Sequence, residues 1–138
     1  MSFKGEFKYN KDPNFEYLIS ESGSNFISLR KIKFGSSQDD ETISDEDRKL
    51  DLRKWSIDAE GNERMLKGIQ FPDDESVDEL VNVLTELGYG DTKQVLLNLK
   101  GREEFSKIVP FVFTDEDIIE TDDNEYYDPR EVLLNYDV

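Results

Sequence analysis

The stretch RKLDLRKWSIDAEGNERMLKGIQF, residues 48–71, decides the fold. From Lys49 to Ile57 it alternates with period two, so Leu50 and Leu52 fall on one face of a strand and Arg53 and Trp55 on the other. The leucine face is expected to look inward. The opposite face then presents a guanidinium and the protein's single tryptophan, a pairing suited to a phosphate beside a stacked base. Asp58 to Asn62, DAEGN, reads as a turn with Gly61 available for a positive φ, and Met65 to Phe71 as the returning strand of a hairpin.

Upstream, Phe15, Tyr17 and Ile19 alternate as a strand, ESGSN (Glu21 to Asn25) is a turn, and FISLRKIKF (Phe26 to Phe34) is a second strand. Ile27 and Leu29 are expected in the core, with Phe26, Arg30, Ile32 and Phe34 on the outer face. Between the two hairpins, GSSQDDETISDEDR (Gly35 to Arg48) reads as a solvated acidic connection, with mobility expected of a loop this long. Residues 1–13 form an N-terminal arm that interleaves Phe3, Phe7 and Tyr9 with Lys4, Lys8 and Lys11, readable as an edge strand or as an arm contacting nucleic acid.

Downstream, Pro72 to Leu87 is the clearest helix. Asp73 or Asp74 caps it, and Val77, Leu80, Val81, Leu84 and Leu87 follow the i, i+3, i+4, i+7 rule. This stripe is expected to cover the Leu50/Leu52 face and to leave a remainder for a twofold copy of itself. Residues 91–113 read as a helical extension: Asp91 and Thr92 start a helix carrying Val95, Leu96, Leu97 and Leu99, Gly101 interrupts it, and a short helical turn ends at Pro110. Residues 114–138 hold 10 acidic residues against the lone Arg130, so this tail is expected not to pack by itself. Its end, YYDPREVLLNYDV, suits recruitment of a protein partner, or a terminal helix docked through Val132, Leu133 and Leu134.

The run LDLRKW, then ID-EG, then KGI and an acidic-capped helix resembles the signature of the positive-cofactor-four family of transcriptional coactivators and its short bacterial relatives. The resemblance spans about Phe15 to Leu87. It implies an α+β fold, a four-stranded curved antiparallel sheet followed by a long helix over residues 14–90, with the helical extension and acidic tail appended. It also implies a homodimer joined through Val77, Leu80, Val81, Leu84 and Leu87, with single-stranded DNA held across the sheets. Arg30, Lys33, Arg53 and Lys67 would then neutralise phosphates, Lys54 would reach backbone at the sheet edge, and Trp55 would stack on a base. The family's second-strand aromatic is replaced here by Ile32, with Phe34 two residues later.

Charge agrees with such a surface only when it is read locally. The net charge is −16, yet residues 1–71 hold 12 basic and 14 acidic residues while 72–138 hold 5 and 19. Six acids of the first half (Asp39, Asp40, Glu41, Asp45, Glu46, Asp47) lie in the single connection, which leaves the expected sheet basic. With no Cys and no His, thiolate nucleophiles, disulfides, imidazole bases and ordinary zinc sites are excluded, and no cofactor or metal is expected. No apolar run approaches the roughly 20 residues that span a bilayer, and MSFKGEFKYN lacks the apolar stretch of a signal peptide, so a cytoplasmic protein is expected. The functional expectation is a non-enzymatic, dimeric single-stranded-DNA-binding protein of low sequence specificity, serving replication, recombination or transcription. The alternative is an acidic interaction module that recruits partners through its helices and tail.

Overall fold

A computed structural model describes residues 8–113, 115–120 and 126–135. The chain divides into two compact units, Met1–Asn82 and Val83–Val138. In the first, β1 (Tyr9–Ser22), β2 (Asn25–Phe34), β3 (Lys49–Ile57) and β4 (Glu63–Gln70) form one antiparallel sheet in sequence order. The expected α+β class and four-stranded sheet are therefore present. Gly61 takes φ 84° in the β3–β4 turn, where the Asp58 carboxylate accepts from the Glu60 and Asn62 amides. The β1–β2 turn uses Gly23 at φ 62°.

Register fixes the two faces. Phe26, Ser28, Arg30 and Ile32 pair with Trp55, Arg53, Asp51 and Lys49, so all of them share one face, with Tyr9 and Glu16 of β1 and Met65 and Gly68 of β4. The sheet curls around this face. Lys11 of β1 lies 3.6 Å from Glu63 of β4, although these strands are opposite edges and the two positions are eight residues apart in register. In a flat sheet they would stand about 14 Å apart across the strands and about 27 Å along them.

The curl overturns the expected facing. Trp55 and Ile32 are fully buried, and Arg30, Asp51 and Ser28 are at most 1% exposed. The face expected to be core is the outer one: Leu29, Leu50 and Leu52 are half-buried, Ile27 is 37% exposed, and Tyr17 and Ile69 are more than half exposed. Alternation defines two faces without saying which is inside. The aromatic face can go inside because Tyr9, Phe26, Phe34 and Trp55 pack there and because its arginines find acids to neutralise them.

The Gly35 to Arg48 connection is tied to β1 near both of its ends. Asn10 Nδ2 donates to the Ser37 carbonyl at 2.8 Å, Gln38 exchanges two hydrogen bonds with the Lys11 backbone, and Arg48 Nε donates to Asn10 Oδ1 at 2.8 Å. Asn10, at an outward register position, is buried by this cover. Polar groups of β1 thus hold the two ends of the connection.

The helix α1 runs over Asp74–Glu86, 13 residues, and is the longest of four short helices among the described residues. The expected long helix is thus shorter. Asp73 Oδ1 accepts from the Ser76 amide at 2.8 Å. Its apolar stripe does not cover the leucine face as expected. No α1 residue is buried; Val77 is half-buried beside Leu50 and Phe71 in a cavity of about 630 Å³, and Leu80, Val81, Leu84 and Leu87 are 37–67% exposed.

The second unit holds α2 (Thr92–Lys100), α3 (Phe105–Val112), a two-residue hairpin of β5 (Ile119–Glu120) with β6 (Tyr126–Tyr127), and α4 (Pro129–Leu134). Asp91 caps α2 by accepting from the Gln94 amide. Pro110 lies inside α3, where a stop was expected, and the helix ends two residues later. Within the acidic tail the described residues do pack: α4 seats Leu133 in a cavity lined by Leu96, Leu99 and Phe105. A few apolar positions in α4 outweigh the polar composition of the segment before it. No helix among the described residues is long and apolar enough to cross a membrane.

Candidate nucleic-acid interface

The six residues singled out from the sequence separate into two groups of three. Arg30, Arg53 and Trp55 lie on the inner face; Lys33, Lys54 and Lys67 lie outside.

Inside, the guanidinium of Arg30 is 4.2 Å from the Trp55 ring centroid and 5.7 Å from that of Phe26. Its Nη1 and Nη2 donate to both Glu63 oxygens at 3.0 and 2.9 Å, Nη2 also bonds Glu16, and Nε donates to Ser28 Oγ. Such a fork–fork pair between aromatic faces is the geometry that arginine supplies and lysine does not. Burial opposes the charge on Arg30, but the bonds to Glu63 and Glu16 outweigh it and its pKa is raised. The bond from Arg30 holds the Glu63 carboxyl below the ordinary carboxylate value. Burial, with the charge of Glu63 adding, pushes the Tyr9 phenol up. Tyr9 and Trp55 meet at 5.7 Å.

Arg53 repeats the arrangement. Its Nε and Nη2 donate to the two Asp51 oxygens at 3.0 Å each, Nη1 donates to the Leu66 carbonyl, and its plane lies 5.3 Å from the Phe34 ring. Room for this comes from Gly68, directly opposite in register: a Cβ there would stand 2.6 Å from Arg53 Cβ and 2.7 Å from its Cα. The glycine of the KGI run is therefore required by strand approach. In this conformation Arg30, Arg53 and Trp55 are spent on one another and on acids, and none is presented to a phosphate or a base.

Outside, the paired positions carry Lys31, Lys33, Lys54 and Arg64, Lys67 sits in the β4 bulge opposite β3, and no Asp or Glu occupies an outward paired position on any of the four strands. The strand acids that have a register partner, Glu16, Glu21, Asp51 and Glu63, all share the inner parity, and Asp12 of β1 falls in the irregular stretch between Lys11 and Glu16. Lys33, Lys54, Arg64 and Lys67 make no ion pair within 4 Å among the described residues, and the last three are exposed. Lys31 stands 4.7 Å over the Phe15 ring, which meets Tyr17 edge-on at 5.1 Å. Tyr17, Leu29, Leu52 and Ile69 lie in one row across the sheet, an apolar stripe beside the cations.

One member of this surface is not singled out by the sequence: Tyr17 reads there only as a strand residue, whereas Arg64 reads as a weaker phosphate contact in the turn. The signal was available: the acids that neutralise the arginines sit at matched parity once the hairpin register is drawn. Among the described residues no group of three or more His, Cys, Asp or Glu is placed to hold a metal ion. The carboxyls with displaced pKa values are all held low by hydrogen bonds, Glu63 and Asp128 from arginines, Asp47 from Ser44 and Asp40 from Thr42. No family model, curated protein or solved structure matches this chain.

Proposed function

We propose that the chain is a dimeric, non-enzymatic protein that binds single-stranded DNA through the outer face of its sheet, with low sequence specificity, in replication, recombination or transcription. The observation that carries this reading is the sorting of charge by face. The inner arginines are matched by inner acids, whereas Lys54 and Arg64 stand at outward paired positions, none of which holds a strand carboxylate, with the exposed Lys67 in the adjoining bulge. Lys54, Arg64 and Lys67, exposed and in no ion pair among the described residues, with an exposed aromatic, Tyr17, form the combination that tracks a phosphate backbone and stacks a base without reading its identity. The resemblance of LDLRKW and KGI to the positive-cofactor-four signature supports the class of ligand, with the contact residues moved to the opposite face. A second copy is placed on α1, whose exposed Leu80, Leu84 and Leu87 form an apolar stripe. With its DNA, the protein is assigned to the cytoplasm.

Anisotropy of a labelled oligo-dT tests the reading, with matched duplex as control. Binding of the single strand should weaken with salt at a slope of about −0.7 per phosphate contacted. Lys54→Glu with Lys67→Glu should abolish it at moderate salt without lowering the melting temperature. Absence of binding at low salt, or binding indifferent to that pair, sinks the proposal.

A further inference from the structure

The cations of the outer face fall into two groups. Lys54, Arg64 and the neighbouring Lys67 lie at one end, Lys31 and Lys33 at the other, and the row of Tyr17, Leu29, Leu52 and Ile69 runs between them. Lys31 stands four residues along β2 from Ile27, the partner of Lys54, which is about 13 Å in an extended strand.

The two ends differ in their company. At the Lys31 end the Gly35 to Arg48 connection lies on the face itself. Asn10, the outward partner of Lys33, is 1% exposed beneath it, its amide donating to the Ser37 and Gln38 carbonyls and its oxygen accepting from Arg48. The segment anchored in this way carries one short helical turn, Asp45–Asp47, whose three residues are all acidic and exposed. Asp45 and Glu46 line the cavity of about 630 Å³ that Lys31 also lines, together with Asp73, Asp74 and Asp78 around the start of α1. Hydrogen bonds from Ser44 hold the Asp47 carboxyl low, and the charge of Lys33 lowers it further. Arg48 does not offset these acids for an incoming anion, since Asp45 and Asn10 already hold it. Lys31 and Lys33 are half-buried, whereas Lys54, Arg64 and Lys67 are exposed. A phosphate approaching the first pair meets carboxylates; one approaching the other three meets cations alone among the strand residues.

We propose that the Gly35 to Arg48 connection is an autoinhibitory strap, whose acidic turn occupies the Lys31 and Lys33 end of the outer face in place of nucleic-acid phosphates and confines the bound strand to the Lys54, Arg64 and Lys67 end. On the DNA reading above, from which this follows, displacing the turn adds two cations to the contacted stretch.

The test uses the full chain and labelled oligo-dT at several salt concentrations. Asp45→Asn with Glu46→Gln and Asp47→Asn removes three charges and keeps an acceptor oxygen at each position for Arg48 and Ser44. This triple variant should bind about fivefold or more tightly than the parent at low salt, with a salt slope steeper by about 1.4, the mark of two further phosphate contacts. Glu46→Gln alone, at a side chain with no hydrogen bond or ion pair among the described residues, should move affinity in the same direction with thermal unfolding unchanged. Lys31→Ala with Lys33→Ala should cost the parent little and should abolish the gain of the triple variant. A gain that survives the loss of both lysines overturns the strap, because it then reflects only the smaller negative charge of the whole chain. Parent-like affinity and slope in the triple variant also overturn it, and they leave the DNA reading standing where the parent binds and Lys54→Glu with Lys67→Glu does not. No binding by the parent or the triple variant overturns both.

Discussion

The two faces of the sheet are made from almost the same residue types, yet they behave oppositely. Arg30 inside and Arg64 outside belong to neighbouring hairpins, but one is sandwiched by rings and held by two glutamates while the other is exposed, with no ion pair among the described residues. The difference lies in where the acids fall. The four paired strand acids share one parity, so curling toward that parity neutralises buried cations, and curling the other way would bury Lys31, Lys33, Lys54 and Arg64 without them. Charge arrangement, and not hydrophobicity of a single strand, selects the inside of this sheet.

The sharpest way to break the comparison is Trp55→Ala. If Trp55 is core, the substitution costs about 3–5 kcal/mol, read by chemical denaturation. A loss of DNA binding with stability intact would return it to the outer surface and reverse the assignment of faces. Gly68→Ala comes next, at about 1–3 kcal/mol, since the new Cβ meets Arg53 backbone that cannot yield without parting β3 from β4. An unchanged melting temperature would mean that the strands do not approach so closely.

The inner ion pairs also predict an acid limb. The folded-state pKa of Glu63 is depressed, so its contribution to stability is full above the ordinary carboxylate value and is lost as pH falls through the folded one. Glu63→Gln should lower stability at neutral pH and flatten its decline toward acid; a parallel decline in both proteins would remove Glu63 from the network. The smallest effect on stability belongs to Lys54→Ala and Lys67→Ala, each expected within about 0.5 kcal/mol of the parent. Both should nonetheless weaken oligo-dT binding, and a stability loss in place of an affinity loss would place them in the packing.

Much of the fold was legible because local patterns carry it. The alternation of Lys49 to Ile57 marks β3 at both ends, DAEGN places Gly61 where the turn needs it, and Asp91 starts α2 as a cap should. The facing was not legible from any one strand. Arg30 is neutralised by Glu16, 14 residues before it, and by Glu63, 33 residues after it, so the reason for its burial exists only once four strands are paired. The same holds for the candidate interface: type and motif pick out Lys33, Lys54 and Lys67, which lie outside, together with Arg30, Arg53 and Trp55, which face inward, because a guanidinium beside an indole reads alike whether it faces solvent or a carboxylate. The packing of α4 was weighed as one of two readings, since Val132, Leu133 and Leu134 suit a groove as well as a partner. Residues 1–7, with Phe3, Lys4 and Phe7 of the arm, lie outside the described residues.

Trp55 sits in the interior against Tyr9 and Arg30, and its indole Nε1 has no hydrogen-bond partner among the described residues. As the chain's single tryptophan it is therefore an optical gauge of the sheet's own closure. Its emission should be blue and shielded from acrylamide while the curl is intact, and should redden as β1 and β4 separate. Light from this residue will follow the opening and closing of the sheet, and a ligand passing over the outer face will leave it dark to the event.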